Sequence, residues 1–322
     1  MRQQAKLSPA RLVRKFMPVH RDSARLGGWL PGQGVALPSA GPEAARNGGA
    51  SVSLGRIGSL EVRLARKASE IKRAQELRYQ VFYEEMSAIA DGQTLASGRD
   101  ADAFDEFCDH LLVFDHDVAE RAKPFGRRKP RIVATYRLLR QSVAERFGGF
   151  YTAGEYDIQT LLDGKPELNF LELGRSCVLK PYRTKRTVEL LWHGIWAYVL
   201  MHGIDAMIGC ASFEGTDPDR LAVPLSYLHH FARAPEEWRV RALDERYVEM
   251  NRLPASEVDL RGALREMPPL IKGYLRLGAH IGDGAVVDHQ FGTTDVLIIV
   301  PVASLNSRYV NYYGSGAERF AS

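Results

Sequence analysis

Three cysteines in 322 residues (Cys108, Cys177 and Cys210), with no Cys-x-x-Cys pair, leave nothing to build a disulfide framework or a zinc ribbon. That scarcity implies a reduced, cytoplasmic setting. Long apolar runs are missing too: no stretch approaches the ~20 residues a bilayer span needs. The start has no apolar signal-peptide core, so secretion is not expected. His229-His230 and His289 lack metal-ligand spacing, and no metal site is expected from them. The basic clusters have no interleaved aromatics, which excludes a nucleic-acid reader. Net charge is slight, +4, with 45% hydrophobic and 25% charged residues, the balance of a globular chain.

Charge is distributed unevenly. Residues 1–26 carry Arg2, Lys6, Arg11, Arg14, Lys15, Arg21 and Arg25 against Asp22. Ser8-Pro9 can open a short helix to about Met17, whose mix of Leu12, Val13 and Phe16 with basic residues suits an anionic membrane surface. A disordered basic tail fits the same residues. A second cluster, Arg121, Lys123, Arg127, Arg128, Lys129 and Arg131, marks a loop. Residues 27–59, rich in Gly, Ala, Pro and Ser, read as a flexible linker, so 1–59 forms a basic N-terminal segment. The folded domain is placed at 60–312, and 313–322 is a tail.

Within that domain, Leu60–Arg66 alternates as a strand and Ser69–Met86 has the period of a helix. Strands follow at Leu111–Phe114 and Ile132–Leu139, then an irregular insert over 141–166. Next come a strand at Leu168–Leu179, a helix from Thr184 to His202 and a strand at Asp205–Phe213. A helix over Asp219–Phe231 and the segments Leu270–Leu277, Ala285–Val287 and Asp295–Val302 close the chain. Mixed order of this kind predicts an α/β fold with helices on both faces of one sheet.

The strand around Leu171 is unusual because it is apolar yet carries Glu172 and Arg175. Charges on a central strand are costly unless paired or used. Three residues apart, the two side chains face opposite ways unless a bulge intervenes. A bulge would free backbone N–H groups to hold a thioester carbonyl as it becomes an oxyanion. A structural ion pair at the sheet margin is the other reading.

Several blocks in one order carry a resemblance: Leu77-Arg78-Tyr79-Gln80-Val81-Phe82, Phe104-Asp105-Glu106-Phe107-Cys108-Asp109-His110 and Ala134-Thr135-Tyr136-Arg137. Glu172-Leu173-Gly174-Arg175-Ser176-Cys177, Leu190-Leu191-Trp192-His193-Gly194, Gly209-Cys210-Ala211-Ser212-Phe213 and Tyr274-Leu275-Arg276-Leu277-Gly278 complete it. Over residues 60–312 the chain resembles the L-ornithine N-alpha-acyltransferases of bacterial ornithine-lipid synthesis. These form an acyl-carrier-protein-dependent branch of the GNAT superfamily. More distantly it is similar to acyl-homoserine-lactone synthases, through Arg78 and Phe82, Asp100, Asp102 and Asp105, Arg137, and Glu172 with Arg175. The tryptophan of that second family has no counterpart near Met86.

The resemblance implies a GNAT-like, mostly antiparallel mixed sheet with a C-terminal extension. It implies transfer of a 3-hydroxyacyl chain from the phosphopantetheine thioester of acyl carrier protein to an amino-acid alpha-amine, with no tightly bound cofactor. Glu172 is expected as base or acceptor anchor, and Arg175 as a ligand of the acceptor's carboxylate or a structural partner. Arg78, Phe82, Asp100, Asp102, Asp105 and Arg137 are expected to bind the acceptor. Acetyl-CoA-dependent GNAT enzymes carry an Arg-x-x-Gly-x-Gly/Ala loop, but here Arg183-Thr184-Lys185-Arg186-Thr187 has no glycine. Glycines let backbone close on a pyrophosphate. Arg183, Lys185 and Arg186 instead suit a carrier's single phosphate and acidic surface. The implied acceptor is ornithine, with glycine, glutamine or a homoserine-lactone-type reaction as alternatives. A haemolysin-like membrane-binding protein is the alternative of another class. The implied setting is the anionic inner-membrane surface, with a separate O-acyltransferase acting on the product.

Overall fold

The computed structural model describes residues 53–120 and 129–305. The basic segment 1–26 with its expected helix, the loop residues Arg121–Arg128 and the tail 313–322 lie outside the described residues. Strands β1 (Gly55–Ile57) and β2 (Leu60–Leu64) lead into helix α1 (Ala68–Tyr79), which continues as a π-helix over Gln80–Glu85. After α2 (Gly92–Ser97) come β3 (Asp109–Glu120) and β4 (Lys129–Arg140). The insert holds α3 (Gln141–Ala144) and α4 (Ile158–Gly164), followed by β5 (Phe170–Val178), α5 (Lys185–His202), β6 (Ala206–Glu214) and α6 (Ala222–Phe231). The chain ends with β7 (Tyr247–Val248), α7 (Leu260–Glu266), α8 (Pro269–Leu277), β8 (His280–Asp288) and β9 (Thr293–Pro301). Two expectations are corrected. The stretch assigned to a linker already contains β1, which pairs with β2, and the irregular insert contains two helices. Short elements rich in Gly carry too little apolar periodicity to be read ahead of time.

One nine-stranded sheet runs in the order β1-β2-β3-β4-β5-β6-β9-β8-β7. Every neighbouring pair is antiparallel except β5 and β6. Alternation along β3 splits its side chains. Leu111 and Val113 join the cluster with Leu190, Leu191, Ile195 and Tyr198 of α5, while Leu112 and Phe114 join Ala74 and Leu77 of α1. Helices therefore cover both faces. Toward β9 the insert takes over the α1 side, with Tyr156, Ile158 and Leu161 packed on Phe170, Ile208 and Leu297.

Helix α5 starts at Thr184, whose hydroxyl accepts from the Thr187 N–H at 3.4 Å, and ends at left-handed Gly203. Gly194 lets it lie close to the sheet, because a Cβ there would stand 2.7 Å from Val62 Cγ2. Leu111 and Leu112 are fully buried on either side of one strand. Each contributes roughly 2 kcal/mol by removal from water.

Candidate active site

Strands β5 and β6 pair only at Phe170–Ala206, Leu171–Met207 and Glu172–Ile208, and then diverge. Gly209 stands at the divergence, where a Cβ would collide with the Leu173 carbonyl. On the other edge of β5, Thr135 faces Cys177 while Arg137 faces Gly174, so β5 carries one extra residue. The conditional bulge is present, and Arg175 sits in it with φ 50°. A non-glycine residue in that left-handed region is disfavoured by ~1–2 kcal/mol. The bulge brings Glu172 and Arg175 to one cleft of ≈1790 Å³ opened by the divergence. Beyond Glu172, the β6-facing edge of β5 has no ladder partner.

Three arginines and three aspartates predicted for the acceptor are brought together, but chiefly with one another. Arg78 is fully buried; its Nε lies 2.7 Å from Asp100 and its Nη2 donates to Asp105 at 2.6 Å. Arg137 donates to Asp102 at 2.6 Å, and Arg175 reaches Asp100 at 3.2 Å and Asp102 at 3.1 Å. Burial pushes the Asp105 carboxyl up, yet Arg78 and Arg137 outweigh it and hold the group well below the usual carboxylate range. Arg137 and Arg175 line the cleft, whereas Arg78, Asp100, Asp102 and Asp105 do not. Each of those four charges has an oppositely charged neighbour within the cluster. Phe82, on the π-helical turn, lines the cleft edge-on to Phe291 at 5.7 Å.

Glu172 is 5% exposed and accepts from the N–H groups of Tyr151 (2.9 Å) and Thr152 (2.6 Å), and from the Thr152 hydroxyl. It thereby anchors the turn Tyr151–Gly154 against β5. Three donors leave one of a carboxylate's roughly four acceptor positions. Burial pushes this carboxyl up despite those donors and Arg137. Tyr151 in turn lies under the Arg175 guanidinium, 5.0 Å from ring to Cζ, with Phe291 at 5.1 Å.

Of the three cations expected at the donor end, Arg183 and Lys185 line the cleft beside the N-terminus of α5. Arg183 grips Glu85 through both oxygens, at 2.5 and 3.0 Å. The Lys185 side chain is 86% exposed and pairs with Glu189 at 3.5 Å. Arg186 points elsewhere and donates to the Ile57 carbonyl at 3.3 Å.

Sequence reasoning missed a second acidic group. Glu155, Asp288 and Asp295 each place a ligand oxygen within 4.8 Å of the others, in the same cleft. Asp288 and Asp295 stand near each other at the β8–β9 turn, but Glu155 is remote from both in the chain, and only the fold joins it to them. Cys108 and Cys177 are buried core residues, as their types suggested.

A strained, bulged strand diverging from its parallel neighbour, with carboxylates and free backbone edge in the gap, defines an acyltransferase of the GNAT class. The family model described as an acetyltransferase (GNAT) domain matches residues 77–193. The chain is 55% identical to the L-ornithine N(alpha)-acyltransferase of Rhizobium meliloti (strain 1021) across 85% of itself and 90% of that protein. The protein of the same name from Brucella abortus (strain 2308) is 55% identical across 84% and 95%. A solved structure, FeeM, an N-acyl amino acid synthase from uncultured soil microbes, aligns with TM-score 0.41 and 11% identity over 76% of this chain and 91% of that one. The chain belongs to the L-ornithine N(alpha)-acyltransferase family.

Proposed function

We propose that this enzyme moves a 3-hydroxyacyl chain from the phosphopantetheine thioester of acyl carrier protein to the alpha-amine of L-ornithine. The supporting observation is the gap at the β5 bulge, where Glu172, Arg175 and an unpaired strand edge meet in one cleft. The amine attacks the thioester carbonyl; the C–N bond forms, the C–S bond breaks and the carrier thiolate leaves. An alpha-ammonium must lose a proton before it can attack. Glu172 receives it through its remaining lone pair, directly or through a water, and releases it to solvent; the second proton, lost from nitrogen as the tetrahedral intermediate collapses, goes to the departing thiolate. Arg175 faces the acceptor's carboxylate, and the β5 N–H groups hold the oxyanion.

The donor assignment rests on the glycine-free turn before α5, where Arg183 and Lys185 offer charge rather than close backbone. The acyl product carries a free 3-hydroxyl, which a separate O-acyltransferase would consume. Its amphiphilic character suits delivery at an anionic membrane surface, a task assigned to residues 1–26. Among the described residues no helix is long and apolar enough to cross a membrane.

The purified chain, 3-hydroxyacyl carrier protein and a panel of amino acids provide the test, read by mass spectrometry. N-acylornithine is the expected major product. No amide with any amino acid would overturn the activity, and equal turnover of acyl-CoA would overturn the donor assignment.

A further inference from the structure

The acidic group Glu155, Asp288 and Asp295 takes no part in the steps above. Glu155 closes the turn that Glu172 anchors, Asp288 ends β8 and Asp295 stands in β9. Glu155 and Asp295 are 5% and 8% exposed. Arg246 approaches Glu155 at 3.4 Å, so among the described residues three carboxylates face one paired guanidinium. Two buried oxygens that line the cleft, Glu155 Oε2 and Asp295 Oδ1, accept no hydrogen bond. Buried carboxylate oxygens without a donor are costly, and such orphans call for a missing partner. Burial, reinforced by Asp295, pushes the Glu155 carboxyl up to about 7; burial likewise raises Asp295. The cleft therefore gathers more negative than positive charge at one place, and among the described residues Glu155 Oε2 and Asp295 Oδ1 have no donor there.

We infer that Glu155, Asp288 and Asp295 form the subsite for the side-chain ammonium of a diamino-acid acceptor. The inference rests on the amino-acid acceptor of the proposed function and assigns the residues that select it. A primary ammonium carries three N–H donors, and the three oxygens within 4.8 Å of one another match that number. The group held here cannot be the attacking amine. Several carboxylates around an ammonium raise its pKa and keep it protonated, which removes the lone pair that attack needs. A divalent cation fits less well: Arg246 stands beside Glu155, and Asp288 Oδ1 already accepts from the Gln290 and Phe291 N–H groups at 2.8 and 3.0 Å. Phe291 also links the subsite to the reaction centre. Its N–H donates to Asp288 while its ring lies 5.1 Å from the Arg175 guanidinium. One acceptor can thus place its carboxylate at Arg175 and its far ammonium at the trio.

The test compares ornithine with norvaline, which has the same three side-chain carbons and no terminal amine, using wild type, Asp295→Asn and Glu155→Gln. Losing a charge-assisted hydrogen bond should lower the ornithine-to-norvaline ratio of kcat/KM by roughly tenfold or more, mainly through KM for ornithine. Circular dichroism confirms folding, and Asp288→Asn replaces any variant that fails it. An unchanged ratio, or an equal loss on both acceptors, would overturn the inference in favour of a structural or proton-transfer role. So would restoration of the discrimination in chelator-treated wild type only when Mg²⁺, Mn²⁺ or Ca²⁺ is added. If wild type acylates no amino acid, the acceptor reading has failed by itself. Calorimetry with ornithine then decides the subsite: binding that is present in wild type and lost in Asp295→Asn supports it, and no binding to wild type overturns it.

Discussion

Two groups of charges border the same cleft and differ in one respect. Around Arg78, Arg137 and Arg175, three cations meet Asp100, Asp102 and Asp105, and each buried charge has an opposite neighbour. Around Glu155, Asp288 and Asp295, carboxylates outnumber the guanidinium of Arg246 among the described residues. The balanced group holds α1, the 102–106 turn, β4 and β5 together, and of its charges only Arg137 and Arg175 line the cleft. The unbalanced group is complete only when a cation arrives. Burial of charge is common to both, so burial alone marks neither as functional; it is the balance that separates framework from binding site.

Changing a carboxylate to its amide should therefore have opposite consequences in the two places. The largest effect is expected at Asp105. Asp105→Asn removes the main partner of the fully buried Arg78 and should cost about 3–5 kcal/mol, measured by urea unfolding. A loss below 1 kcal/mol would show that the network is not framework. Next is Glu172→Gln, which removes basicity and keeps one of the two oxygens that accept from the Tyr151 and Thr152 N–H groups. A fall in kcat of ~10²-fold or more with near-native stability marks a base; an unchanged kcat would leave Glu172 as an anchor only.

A smaller effect of opposite sign is expected at Glu155. Its folded pKa, about 7, lies above its ordinary 4.5, so its favourable contribution is present below about 4.5 and lost as pH rises through about 7. Acceptor-free Glu155→Gln should melt above wild type at pH 8, and the difference should vanish as the pH falls below about 4.5. Wild type should also bind ornithine with falling KM over the same rise, because the ionised form holds the ammonium. The smallest effect belongs to the rim. Lys185→Ala, with its side chain 86% exposed, should raise KM for acyl carrier protein about two- to fivefold, a difference that disappears in high salt. Persistence of the difference in high salt would move Lys185 from steering to a specific contact.

Much of this was readable from local pattern. Apolar alternation announced β2 and the helical period announced α1, and the sequence also placed strands at β4 and β6 and a helix at α5. Glu172 and Arg175 were conspicuous because they interrupt an apolar strand. The insert was opaque, since α3 and α4 are short and its packing depends on the far strands β8 and β9. Arg78 and Asp100 were found by resemblance, but not their pairing, which depends on where a loop folds back onto α1.

Sequence alone determined the charged strand proposed to carry the chemistry, the absence of phosphate-gripping glycines before α5 and the family to which the chain belongs. These are properties of neighbouring residues or of ordered blocks. Only the tertiary structure decided which charges cancel and which do not. Glu155, Asp288 and Asp295 become one site because an insert turn folds onto the last two long strands, and electrostatic balance depends on distance in space rather than along the chain.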